Sequence, residues 1–134
     1  MKFNDLFPQS KPVIGCIHLL PLPGSPAYGG SMEQVYATAL SEAEVYKLNG
    51  IEGVIIENFR DNPFFPGRLP AETIAALSGV SREVVNNFDG PVGINALRND
   101  AEAAMAVAVA SGAKFIRVNV HTRAAVTDQG IIEG

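Results

Sequence analysis

Cysteine is almost missing. The 134 residues contain one, Cys16, so an intrachain disulfide framework is excluded and the chain reads as a protein of the reducing cytoplasm. Positive charge is thin as well. Ten Lys and Arg are scattered against 14 Asp and Glu, for a formal net charge of -4. Without a basic stripe to neutralise phosphates, a nucleic-acid partner is excluded. No apolar run approaches the roughly 20 residues needed to span a bilayer. The stretch MKFNDLFPQSK lacks the apolar segment of a secretory signal. No G-x-G-x-x-G follows the first apolar run, and nothing resembles a Walker loop. A cytoplasmic globule is left, 47% hydrophobic and 18% charged, long enough for one domain with a real core.

What is present is a repeat: a short apolar run, a loop, an amphipathic segment, a glycine, and the next run. Strands are expected over 13–18, 53–57, 91–95 and 114–120, with helices over 31–48, 71–88 and 100–111. The strands are short and rich in Val and Ile, as parallel strands buried on both faces are. Ser31 with Gln34 three residues on forms a capping box, and Asn49-Gly50 stops that helix. Pro70 suits the start of the second helix, Asp100 caps the third, and Gly112 ends it. Strand, helix, strand at this spacing means βαβ crossovers and a parallel sheet. Without a dinucleotide fingerprint, the doubly wound fold loses to a (β/α) barrel. A complete barrel takes eight such units in about 250 residues. Residues 1–134 therefore predict an α/β half barrel of four parallel strands and about three helices.

Period-two alternation assigns the faces. Ile14, Cys16 and His18 point to the barrel axis, as do Ile55 and Glu57, Gly93 and Asn95, and Arg117, Asn119 and His121. At the carboxyl end of each strand the inward residue is polar: His18, Glu57, Asn95, then Asn119 and His121. In a barrel that rim carries the chemistry. One such residue alone is equally well a hydrogen-bonded layer of the core, but five converging on one rim favour a ligand site. Arg117 lies one layer deeper and needs a partner. Glu57 is the natural one, and a structural ion pair competes with an anion-binding role. His18, Glu57 and His121 are the residue types of a two-histidine, one-carboxylate metal site. Spacing across separate strands cannot test that set, so no metal is assigned and no cofactor is named. Cys16, a layer below the rim, reads as packing rather than nucleophile. Arg60 and Asp128 lie on loops over the same rim. None of Lys2, Lys11, Lys47 and Lys114 ends a strand, so a Schiff-base mechanism has no lysine here.

Behind the first strand, HLLPLPGSPAYGG combines Pro21, Pro23 and Pro26 with Gly24, Gly29 and Gly30. It reads as a stiff first rim loop anchored by His18, its prolines lowering the entropy lost when a ligand is held.

Four segments, IGCIHLLPLPGSP, GVIIENFRDNPF, VGINALRND and AKFIRVNVHTRAAVTDQGIIEG, together resemble the BtpA family. Its members are predicted TIM-barrel proteins named for a role in photosystem I biogenesis. The likeness runs across nearly the whole chain and implies a barrel whose polar mouth contains His18, Glu57, Asn58, Asn95, Asn119, His121, Thr127 and Asp128. It supplies no mechanism, since members are described both as assembly or stability factors and as candidate enzymes of sugar utilisation. Arg123 stands where the family pattern has glycine. Family members also continue beyond DQGIIEG for another half barrel, so this chain is expected to be an N-terminal half. Its first and fourth strands would then expose edges, which a second copy or a complementary C-terminal half would cover.

Two functions follow as expectations. The first is a small-molecule site for a phosphorylated sugar or nucleoside-like metabolite. Glu57 would serve as acid or base and His18 and His121 as proton donors or anion binders. Asn58, Asn95, Arg117, Asn119, Thr127 and Asp128 would bind substrate. The second is a non-enzymatic biogenesis or stability factor for a membrane complex such as photosystem I, associating with it peripherally. Its surface would be NFRDNPFFPGRLP, where Phe59, Phe64 and Phe65 alternate with Arg60 and Arg68. The competing reading of those phenylalanines is a lid folded over the barrel mouth.

Overall fold

In a computed structural model that describes residues 2–9 and 11–134, helices and strands alternate along the chain. A single turn, α1 (Phe3–Leu6), precedes β1 (Ile14–His18), α2 (Met32–Leu48), β2 (Gly53–Glu57) and α3 (Ala71–Asn87). There follow β3 (Val92–Asn95), α4 (Ala101–Ser111), β4 (Phe115–Ile116), β5 (Ala124–Thr127) and β6 (Gly130–Glu133). Strands β1 to β4 form one parallel sheet in sequence order. Among the described residues that sheet does not close, so β1 and β4 are its terminal strands.

The cap residues bond as expected, although of the Ser31–Gln34 capping box the structure shows the Ser31 half alone. Ser31 Oγ accepts from Gln34 N–H at 3.2 Å, opening α2, and Gly50 takes φ +71° just past its end. Asp100 Oδ1 accepts from Ala103 N–H at 2.9 Å, and Gly112 closes α4 in the left-handed conformation.

In-register pairing aligns the faces: Cys16 with Ile55 and Gly93, Ile17 with Ile56 and Ile94, His18 with Glu57 and Asn95. One face carries Ile17, Val54, Ile56, Val92 and Ile94 into a core with Val35, Leu77, Val80 and Val107 of the helices. Each such burial stabilises by about 1.5–3 kcal/mol. The other face is the polar one, with its strands' carboxyl ends gathered at one rim. Its floor is closed by Phe7, buried after α1, which lies against Gly53 and stacks edge-on to Phe115 with centroids 6.0 Å apart.

Two stretches depart from expectation. The fourth strand, expected over 114–120, pairs only at Phe115 and Ile116, with Arg117 N–H donating to Ile94 O at 2.9 Å. Strand β3 ends at Asn95, so the next residues have no backbone ladder to join. The Asn99 side chain substitutes for one: its Oδ1 accepts from Val120 N–H at 2.8 Å and its Nδ2 donates to Val120 O at 3.0 Å. The expected loop after that strand contains a hairpin instead. β5 and β6 pair antiparallel around Asp128-Gln129, with Gly130 at φ +103°. Asn99 Nδ2 also donates to Glu133 O at 3.0 Å, holding this hairpin to the rim.

Candidate functional site

Glu57 sits at the centre of the rim. It ends β2 on the open face, and at 3% exposure its carboxylate is removed from bulk water. Buried carboxylates need donors, and three neighbouring strand positions supply them. Arg117 Nη1 lies 2.8 Å from Oε1, Asn95 Nδ2 donates to the same oxygen at 3.0 Å, and His18 Nε2 stands 3.4 Å from Oε2. Asn119 extends the chain: its Oδ1 faces Asn95 Nδ2 at 3.5 Å, and its own amide donates to Arg98 O at 3.0 Å. Arg117 is paired, but its side chain is 53% exposed rather than buried, because the inner face is open on the β4 side.

Below the rim, Cys16 shares the inner face. Burial pushes its thiol pKa up, the Glu57 charge pushes it further, and Arg117 only partly offsets them. These effects favour the protonated thiol over the thiolate that a nucleophile needs.

His18 is held from the other side by Phe59, whose ring stacks on the imidazole at 4.2 Å with an 11° tilt. Phe64 meets Phe59 edge-on at 6.3 Å, and the Arg98 guanidinium lies over Phe64 at 5.8 Å. Phe59 remains 49% exposed and Phe65 40%. The loop therefore folds onto the rim while still presenting aromatic surface.

Asn58 does not join the mouth. It is fully buried, its amide donates to Asp61 Oδ2 at 3.0 Å and Leu97 O at 3.2 Å, and its Oδ1 accepts from Leu97 N–H at 2.7 Å. With donors and acceptor engaged inside the protein, it clips two rim loops together. His121 also stands apart: it is exposed, beyond the end of β4, beside Gly134. The two-histidine, one-carboxylate set does not assemble. Among the described residues no cluster of three His, Cys, Asp or Glu side chains is placed to hold a metal ion.

Thr127 and Asp128 lie on the hairpin. Thr127 Oγ1 donates to Gly130 O at 2.9 Å, and Asp128 Oδ1 lies 3.7 Å from Arg98 Nη2. Arg60 stands 4.0 Å from Glu42, at the margin of an ion pair.

Three residues that sequence reasoning passed over organise the rim. Asp61 is buried and accepts from Leu22 N–H at 2.7 Å as well as from Asn58, tying the proline-rich loop to the second rim loop. That loop is further fixed by Thr73 Oγ1 donating to Pro23 O at 2.6 Å and by Leu19 and Leu22 in the core. The other two are Arg98 and Asn99. Their signal was present: polar residues packed directly behind a strand end, as in ENFRD and NALRND.

A four-stranded parallel sheet with helices on one face and a hydrogen-bonded polar cluster at its carboxyl rim defines an α/β protein of half-barrel type. The chain belongs to the BtpA family, whose model matches residues 9–134. It is 52% identical over 131 residues to an uncharacterized protein of Pyrococcus furiosus, covering 98% of this chain and 50% of that one. It is 47% identical over 134 residues to the photosystem I biogenesis protein BtpA of Synechocystis, covering 100% of this chain and 47% of the relative. An uncharacterized mitochondrial protein of Caenorhabditis elegans is 33% identical over 137 residues, with 98% and 50% covered. The chain thus spans about half the length of the curated relatives it matches.

Proposed function

We propose that the rim is a small-molecule site for a phosphorylated sugar or nucleoside-like metabolite. The carrying observation is Glu57, a buried carboxylate held by Arg117, Asn95 and His18 at the carboxyl end of a parallel strand. Glu57 serves as acid or base, His18 relays a proton or binds an anion, and Asn95 and Asn119 orient the ligand. A thermal-shift screen across phosphorylated and unphosphorylated metabolites tests this. Ligands that stabilise the wild type should lose their effect on Glu57→Gln. A screen without a single hit, or hits indifferent to Glu57→Gln, overturns the reading.

A second reading rests on Phe59 and Phe65, which stay half-exposed at the rim beside arginines. Together with the name of the Synechocystis relative, they support docking of a membrane-complex subunit such as one of photosystem I. Phe65→Ala should weaken capture of such a partner while leaving metabolite responses intact.

The proposed context is the cytoplasm. Among the described residues no helix is long and apolar enough to cross a membrane. We further propose that the chain is the N-terminal half of a (β/α)8 barrel, its terminal strands β1 and β4 covered by a second copy or by the complementary half. Light scattering coupled to size exclusion checks the first of these, and a stable monomer counts against it.

A further inference from the structure

Two guanidinium groups line one open cleft of about 400 Å³ between β4 and the hairpin, together with Asn119, Thr127, Ala125 and Ile132. No carboxylate is among its lining residues. Glu57 engages Arg117 through Nη1 only, one position of a fork that carries five donors. Arg98 is held in place by Phe64 beneath its plane, with its Nε buried and without a protein hydrogen-bond partner. Its outer edge faces Asp128, but loosely: the ion pair is 3.7 Å long and the Asp128 side chain is 66% exposed. Contacts of that kind are worth little in water, whereas a bidentate oxyanion–guanidinium contact is short and strong.

Building on the small-molecule reading above, we infer that Arg98 and Arg117 form its oxyanion subsite and that Asp128 is an internal stand-in displaced when a ligand's anion arrives. The ligand class is a metabolite with a phosphate or carboxylate group. Its sugar or base portion extends toward His18 and Glu57. The subsite lies beside the end of β4 and the β5–β6 hairpin.

The test is isothermal titration of the full chain with inorganic phosphate, ribose 5-phosphate, ribose and gluconate. Arg98→Gln should weaken phosphate and ribose 5-phosphate about tenfold or more, and Asp128→Asn should tighten both about two- to fivefold. Both variants lie at the rim and leave the Glu57–Arg117 pair intact, so loss of folding does not confuse the result. Gluconate binding with the same Arg98 dependence supports the subsite with a carboxylate as its source. Ribose binding as tightly as ribose 5-phosphate, both indifferent to Arg98→Gln, overturns the subsite and leaves the small-molecule reading standing. Oxyanion binding unchanged by either variant overturns it as well. If none of the four probes binds, the subsite is likewise overturned, while the Glu57 reading stands or falls on the metabolite screen.

Discussion

Arg117 Nη1 lies 2.8 Å from Glu57 Oε1, joining residues 60 apart in sequence across the intervening strand β3. The contact holds the fourth strand's end to the second at the level where regular pairing stops. Removing the guanidinium with Arg117→Gln leaves a buried carboxylate with fewer donors. Because the arginine is half-exposed, the expected loss is about 1–2 kcal/mol rather than the larger penalty of a fully buried pair. Urea unfolding should show a lower midpoint with an unchanged slope.

Asp61 gives stability a defined pH dependence. Burial raises its carboxyl above the ordinary value of 3.8, with the Leu22 N–H and the Asn58 amide pulling the other way. A raised folded pKa means the native state holds this proton more tightly than the unfolded chain. Its stability contribution is therefore fully present below 3.8 and is lost as pH rises through the folded value. Comparing Tm across pH for wild type and Asp61→Asn isolates the group. The difference, wild type minus variant, should fall through that window and then level off. A difference that rises with pH contradicts the assignment.

Arg123 adopts φ +67°, the only non-glycine residue with positive φ among the described residues. A side chain there costs about 1–2 kcal/mol. Arg123→Gly removes this strain but enlarges the unfolded ensemble, so the net expectation is stabilisation of about 1 kcal/mol by thermal or urea unfolding.

Gly15 faces α2. A Cβ there would sit 2.8 Å from the Tyr46 ring, and that ring is pinned by its hydroxyl donating to Cys16 O at 2.9 Å. Gly15→Ala should cost about 1–3 kcal/mol through overpacking. Gly29→Ala is the contrast, since nothing lies within 4 Å of its Cβ position and its φ is ordinary. It should be close to neutral.

Capping residues and apolar runs locate the elements along the chain. The expected helix over 31–48 is Met32–Leu48, and the second strand, 53–57, is Gly53–Glu57. Alternation also places Glu57, Asn95 and Arg117 on one face, because parallel in-register pairing preserves a period of two. Alternation could not say where pairing ends. The fourth strand stops pairing at Ile116, one register position short of the end of β3 at Asn95, and residues 118–120 have no β3 residue opposite them. His121, in phase with Arg117 by alternation, lies exposed beyond that paired stretch.

Asn58 shows the complementary limit. The family resemblance implies a place for it in the mouth, yet side-chain hydrogen bonding to Leu97, 39 residues away, takes it into the interior. Local pattern determined the alternating architecture, the helix caps and the polar rim, since each depends on neighbours within a few residues. Only the tertiary structure decided which rim residues meet. Asp61 holding Leu22, Phe59 stacking on His18, and Arg98 sharing a cleft with Arg117 all depend on loops from different strands converging in space.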